Sequence, residues 1–564
     1  MCSSDLEKVT MPITPTYPGV YIEEIPSGVR TITGIATSIT AFIGRALRGP
    51  VDEAVLINSY GDFERKFGGL WVDSTLGFAV RDFYLNGGSQ AVIVRLYQAD
   101  ADPAKSLATL TLGSDPNTLT LEAASEGAWG NNLRARIDHD LAVSDAQAIS
   151  EKLFNLSVQD TSTGEIETFR NVSVMPGHAR QVDNVLKNQS KLVRVSGALP
   201  TERPDDSDAA LNQAIADGSA NDATDAQKEA QATAEAELKK DPFESDQRST
   251  GVADADKATD GQALTEANFT GSGTEANKQG LYALEQADLF SLLCIPPYNS
   301  TNDVDASLID AAIAYCQKRR AMLLIDPPST WTDKDKAKTG IKSEVGSTSE
   351  NAAIFFPRLK QANPLKDNQV EEFVPCGTVA GVFSRTDSDR GIWKAPAGLE
   401  ATLVGVPQLS VSLTDAENGE LNQLGINCLR TMPAAGRVIW GSRTRVGDDR
   451  LASEWKYIPV RRLALYLQES LYRGTQWVVF EPNDEPLWAQ IRLNLGAFMN
   501  NLFRQGAFQG KSPAEAYFVK CDKETTTQDD INLGIVNIMV GFAPLKPAEF
   551  VIIKFQQLAG QSGA

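Results

Sequence analysis

LFSLLCIPPY (289–298), DASLIDAAIAYCQKRR (305–320) and AMLLIDPP (321–328) follow one another in the chain. They read as a strand, a helix and a second strand, so a right-handed parallel crossover is expected. Such a crossover is a building unit of α/β architectures. It also invites a nucleotide-site reading, with Asp326 at the end of its second strand. The turn after the first strand is Pro296-Pro297-Tyr298, without the glycines that let backbone approach a phosphate. The near match to G-x-G-x-x-G, Gly271-Ser272-Gly273, follows no long strand and lies in a low-complexity stretch. No nucleotide site is expected.

Upstream, residues 203–280 change character: Ala, Asp, Glu, Gln, Thr and Gly dominate, and aromatic side chains are almost absent. From 205 to 260 there are 15 acids against 5 bases, half of the net charge of −20. Such a stretch cannot bury a core of its own, so a solvated, partly helical or mobile outer insertion is expected, dispensable for assembly. Residues 100–198 look β-rich, with LTLGSDPNTLTLEA (110–123) and NLRARIDHD (132–140) alternating polar and apolar positions. Residues 30–98 alternate strand and helix signals. A strand at 40–44 is followed by a short helix from Ser59 to Gly68. A second helix lies between Ser74 and Gly87, and QAVIVRL (90–96) is a buried-type strand.

Downstream, GRVIWGSRT (436–444) holds a strand. YIPVRRLALYLQESLYRGTQW (457–477) puts Val460, Leu463, Leu467 and Leu471 on one helix face, with Pro459 in the first turn and Gly474 as the stop. Arg461, Arg462 and Arg473 fall on the opposite face. The next helix opens at PNDEP (482–486), where Asn483 can cap and Asp484 and Glu485 suit the positive end. It should bury Trp488, Ile491, Leu495, Phe498 and Leu502, and expose Arg492 and Arg504.

The length of 564 residues allows two to four domains. No run of eighteen apolar residues occurs, so no membrane insertion is expected, and MCSSDLEKVT (1–10) does not read as a secretory signal. Six cysteines without a C-x-x-C pair read as reduced, mostly buried thiols, and two histidines leave little for a metal site. The acidic balance argues against nucleic-acid binding. From 430 to 520, however, bases outnumber acids 13 to 8. No P-loop, H-E-x-x-H, G-x-S-x-G or EF-hand loop is present. Glu23 and Glu24 would point to opposite faces of a strand, so they cannot share an acid–base task. Asp448-Asp449, beside Arg443, Arg445 and Arg450, reads as an ion-paired turn. GAWGNN (127–132) reads as a tight turn anchored by its indole. No catalytic residue, cofactor or metal is expected.

Two strands have no hairpin partner in sequence: YPGVYIEEIPSG (17–28) and PAEFVIIKF (547–555), both fenced by prolines. An unpaired strand must find a sheet edge, and the edge can belong to another copy of the chain. The candidate stitches are Val20, Tyr21, Ile22, Glu23 and Glu24 at one end, and Phe550, Val551, Ile552, Ile553, Lys554 and Phe555 at the other. A head-to-tail contact of this kind need not close and can grow into a tube.

Ordered along the chain are YPGVYIEE (17–24), FIGRALRGP (42–50), GDFERKFGG (61–69), FYLNGGSQAVIVR (83–95), GAWGNNL (127–133), GIWKAPAG (391–398) and GRVIWGSRT (436–444). Then come YIPVRRLALYLQES (457–470), GTQWVVFEPND (474–484), VKCDKETTT (519–527) and APLKPAEFVII (543–553). On these motifs the chain resembles the tail sheath proteins of contractile phages and contractile injection systems. The resemblance implies a mixed α/β (α+β) fold with a discontinuous inner domain built from both chain ends and insertions facing outward. It implies six-fold rings stacked helically around an inner tube, with baseplate and terminal cap proteins as further partners. It implies assembly in the cytoplasm, as part of a virion or a phage tail-like particle, with energy stored in the extended lattice.

The expected division is an arm at 1–28, inner domain at 29–98, a β-rich outer domain at 99–200 and the acidic insertion at 201–280. An α/β middle domain at 281–430, the second inner part at 431–545 and an arm at 546–564 complete it. A contact that holds and then releases a tube should be polar. Arg492 and Arg504, and then Arg461, Arg462 and Arg473, are the candidate tube-facing residues. Two rival classes explain less: an enzyme lacks its motifs, and a β-rich surface adhesin or receptor-binding protein leaves the long helices at 459–505 unexplained.

Overall fold

The computed structural model describes residues 30–141, 143–298 and 302–554. They form two compact units, one of residues 37–390 and 395–458, the other of 30–36, 391–394 and 459–554.

An eight-stranded sheet organises the first unit. Its order is Gly436–Ile439, Ile426–Met432, Ala352–Phe356, Met322–Ile325, Leu292–Cys294, Thr40–Gly44, Ala91–Arg95 and Ala54–Ile57. The six inner strands run parallel, and one antiparallel strand closes each edge. The crossover predicted from 289–328 is present, with the helix Ala306–Lys318 joining two parallel neighbours. The strands TAFIG, LLC, MLLI and AAIFF are buried along their whole length, as a parallel sheet covered on both faces requires. Alternation along the first strand sends Ala41 and Ile43 into one core and Phe42 into the other.

Helices Leu76–Leu85 and Cys376–Arg390 share one face of the sheet and approach closely. A Cβ on Gly377 would stand 2.0 Å from the Ala79 carbonyl oxygen, and one on Gly381 2.5 Å from that of Phe83. Ser59 caps the helix Tyr60–Phe67 by accepting from the Asp62 amide, and Gly68 ends it in the left-handed region at φ 87°.

Residues 109–195 form antiparallel sheets, as the alternating pattern predicts. Thr109–Leu112, Leu119–Ala123 and Val193–Val195 make one, and Leu133–Asp138, Leu153–Asp160 and Glu165–Ser173 most of another. Arg95 fixes this region to the sheet. Its fully buried guanidinium donates to the carbonyls of Ala46 (2.9 Å), Gly49 (2.7 Å) and Glu126 (2.7 Å). Beside it Arg48 pairs with Asp160 at 3.3 Å, and the Gly49 amide donates to Ser125 at 2.9 Å.

Two expectations are corrected. The segments 29–98 and 281–430 do not fall into separate domains. Thr40–Gly44 pairs with Ala91–Arg95 on one side and Leu292–Cys294 on the other, so both segments build one sheet. What joins the helices after 459 is only the stretch 30–36 and the four residues 391–394.

The acidic segment is likewise more than a solvated insertion. Its helices Ala209–Gly218 and Asp225–Glu237 are largely exposed, as the composition predicts. However, Arg248 grips Asp208 through two bonds of 2.9 Å, Arg136 reaches the same carboxylate at 2.8 Å, and Thr250–Gly251 joins the sheet beside Leu133–Asp138. Further on, Leu264 and Phe269 are buried in the core that also holds Phe290 and Leu308. The segment has few apolar residues, but these are inside, and arginines neutralise part of its charge. Phe269→Ala should therefore cost about 3–5 kcal/mol in thermal or denaturant unfolding. Substitutions at exposed positions of Asp225–Glu237 should stay within about 0.5 kcal/mol.

Candidate functional site

In an open parallel sheet, ligands bind beyond the carboxyl ends of the strands where strand order reverses. Here that point lies between Thr40–Gly44 and Leu292–Cys294. Side chains just before the helix Leu76–Leu85 occupy it. The Ser74 hydroxyl donates to the Arg45 carbonyl at 2.7 Å and accepts from the Leu76 amide at 3.2 Å, while Thr75 Oγ1 donates to the Pro297 carbonyl at 2.5 Å. The crevice is a packed joint.

The other chemistry-bearing residues have structural partners. Arg443, with its side chain fully buried, reaches Asp449 at 3.0 Å, Lys456 reaches the same acid at 2.6 Å, and Arg450 pairs with Asp448. Arg445 does not join that ion-paired turn; it is buried and donates to the Ile341 carbonyl at 3.0 Å. Trp129 is buried and donates to the Ser125 carbonyl at 3.0 Å, anchoring its turn. Cys294, Cys316, Cys376, Cys428 and Cys521 are free and buried. Among the described residues, no three His, Cys, Asp or Glu side chains are grouped to hold a metal ion. No described helix is long and apolar enough to cross a membrane.

Asp326 ends its strand beside the first turn of Cys376–Arg390. Its Oδ1 accepts from the Cys376 amide at 2.8 Å, and its buried Oδ2 has no hydrogen-bond partner. An otherwise apolar cavity of ≈20 Å³, lined by Ile295, Val304, Ile309 and Leu324 among others, adjoins it. Burial pushes this carboxyl up to about 7.

The second unit carries the features that face outward. Helix Glu485–Arg504 buries Trp488, Ile491, Leu495, Phe498 and Leu502, the five residues its periodicity selects, together with Leu487 and Met499. Asp484 is its N-cap, accepting from the Leu487 amide at 3.3 Å. Asn483, expected in that role, instead accepts from the Trp488 indole at 2.9 Å and donates to the Ile535 carbonyl at 2.9 Å. Arg30 lies over the Trp477 ring at 4.6 Å, and its amide donates to Asn494 at 2.9 Å. The turn between the two long helices is thus held from several sides. At its tip Phe480 is fully exposed, with a left-handed φ of 71° that strains a residue with a bulky side chain. No sequence pattern pointed to it.

The five candidate arginines differ. Arg504 is exposed at the end of its helix. Arg492 is half-buried, pairs with Glu485 at 2.6 Å and donates to the Cys521 carbonyl. Arg473 pairs with Glu469 at 2.8 Å. Arg461 is half-buried and Arg462 buried, and neither is free. The face opposite the leucines of Ile458–Gly474 is therefore not a solvated one. Strands Tyr517–Lys520 and Met539–Phe542 form a two-stranded antiparallel ladder, and neither has a second neighbour among the described residues. Phe550, Val551, Ile552 and Ile553 are 70–83 % exposed and lie in no strand. Val20, Tyr21, Ile22, Glu23, Glu24 and Phe555 lie outside the described residues.

The sequence matches the phage tail sheath protein central domain over residues 270–445 and the phage tail sheath C-terminal domain over 452–557. The chain belongs to the phage tail sheath family, whose members are structural proteins. A tail sheath protein of Vibrio phage KVP40 is 27 % identical over 192 residues, which cover 34 % of this chain and 27 % of the relative. A prophage major tail sheath protein of Pseudomonas aeruginosa is 23 % identical over 294 residues, 51 % of this chain and 71 % of the relative. In fold the chain is similar to the sheath complex of an extracellular contractile injection system, PVC, in its contracted state. That likeness has a TM-score of 0.54 at 19 % identity, covering 97 % of this chain and 99 % of that one. The contracted helical sheath of the anti-feeding prophage gives 0.52 at 22 %, covering 96 % and 100 %. A sheath tail protein from Listeria innocua gives 0.56 at 14 %, covering 91 % and 96 %.

With the nucleotide crevice filled, Asp326 is a titrating core group. Its raised pKa means that the folded chain holds a proton that the unfolded chain, near 4, releases. The stabilisation is full in acid and is lost as pH rises to about 7. Asp326→Asn keeps the Cys376 hydrogen bond and does not titrate. Wild type should lose stability relative to this variant, about tenfold in unfolding equilibrium per pH unit between roughly pH 4 and 7, and then run parallel to it. Thermal melts across that range provide the check; identical pH profiles would reject it.

Proposed function

We propose that this chain is the subunit of a contractile sheath that polymerises as stacked six-fold rings around an inner tube and contracts to drive the tube through a target envelope. One observation carries the reading. The second unit pairs an open two-stranded ladder with an extended apolar tail, Phe550–Ile553, that finds no sheet edge within the described chain. The ladder packs on the helical core of its unit through Tyr517, Val519, Val540 and Phe542, but its outer edges present unpaired N–H and C=O groups. A strand from another copy satisfies both needs at once. Repeated head to tail, the contact grows into a helical polymer.

Family membership supports the same reading, as does the likeness in fold to the contracted sheaths of PVC and the anti-feeding prophage. Residues 20–24 and 550–555 are the arm strands in this reading, and the inner tube, baseplate and terminal cap are the other partners. Assembly takes place in the cytoplasm, as part of a virion or a tail-like injection particle. Of the five arginines, Arg504 is the best placed to face an acidic tube, because Arg492, Arg473, Arg461 and Arg462 already have partners.

Deleting 549–564 should leave a folded subunit that does not form sheaths, and deleting 1–28 should do the same. Size-exclusion chromatography and electron microscopy read the outcome; ordinary long sheaths from either truncation would sink the arm assignment. Arg504→Glu should leave folding within about 0.5 kcal/mol of wild type while lowering the yield of sheath on tubes, and more so at low salt. Unchanged particle yield at low salt would remove Arg504 from the tube contact.

A further inference from the structure

Phe480 combines two costs that a free surface does not call for: full exposure of an aromatic ring and a left-handed backbone. The turn around it is fixed through Trp477 and Asn483, so the ring is presented by a braced loop. Val479 beside it is also exposed, and the acids Glu481 and Asp484 rim the tip. Beyond the opposite end of the 20-residue helix Glu485–Arg504, about 30 Å away, stand exposed Lys511 and, next to the Phe508–Pro544 bridge, exposed Lys546, with Glu515 as the acid beside them. Acidic and basic groups thus stand at opposite ends of one unit, the arrangement that favours a head-to-tail approach of two copies.

We propose that Phe480 is the knob of a copy-to-copy contact, docking on the basic end of the second unit of another subunit. This deepens, and rests on, the reading of the chain as a polymerising sheath subunit. An apolar knob suits a contact that persists through contraction, whereas a tube that must slide needs a contact that releases. The strained backbone is then retained because the ring is buried only in the assembly.

The experiment places a photoreactive phenylalanine analogue at 480 in the full chain and irradiates assembled particles. The expected product is a covalent dimer of two sheath chains, with the second attachment point between about 506 and 516 or between about 543 and 547. Adducts to another protein of the particle, or no adducts from intact sheaths, would overturn the proposal. Phe480→Gly adds a second readout. Glycine relieves the backbone, so the isolated subunit should melt higher, while the concentration needed for sheath formation rises at least about tenfold. Sheaths forming at the wild-type concentration would also overturn it. If the wild-type chain forms no sheath, the polymer reading itself fails, which is a different result from sheaths whose residue 480 meets a non-sheath partner.

Discussion

The strand Thr40–Gly44 is fully buried and must satisfy its backbone groups on both sides, and it does so with partners far apart in sequence, Ala91–Arg95 and Leu292–Cys294. Because these neighbours are parallel, each return crosses a face of the sheet and leaves helices there. The cores on both faces, the filled crevice at Ser74 and Thr75, and the placing of every insertion follow from this arrangement. Long excursions leave the sheet and return to it, and the outer β-rich region is one of them.

Buried arginines fasten these excursions. Arg95 gives its donors to three carbonyls, and burial lowers its pKa only to about 10, so the charge remains at neutral pH. Arg248 and Arg136 converge on Asp208 in the same manner. Removing one partner from such a site leaves a buried charge or carbonyl unpaired, which costs more than the contact itself contributes. The planar guanidinium serves because its donors reach several backbone carbonyls at once.

The second unit divides its surface differently. Its helices bury a continuous apolar seam from Leu463 to Leu502. Beyond that seam it keeps apolar groups in water: the tip at Phe480, the ladder residues Phe518 and Met539, and the tail from Phe550. A monomer gains nothing from such exposure. In the proposed polymer these are the groups that contacts between copies would cover.

Local features were legible in the sequence because the causes are local. The crossover at 289–328, the cap at Ser59, the buried face of Glu485–Arg504 and the alternation around 110–140 are fixed by residue spacing and by neighbours a few positions away. The motifs that resemble tail sheath proteins were legible for the same reason. Which strands pair across hundreds of residues was not, because a buried apolar strand such as TAFIG carries no label for its neighbour. Nor was the fate of the arginines: Arg504 and Arg462 are alike in sequence, yet one is exposed and the other buried. Asp484 rather than Asn483 caps the helix, because Asn483 serves as the acceptor for the Trp488 indole that packing places beside it. The sequence by itself determined the elements and the family. Tertiary structure decided neighbours, burial and partners, because these depend on which distant segments meet in space, and local residue spacing does not specify that.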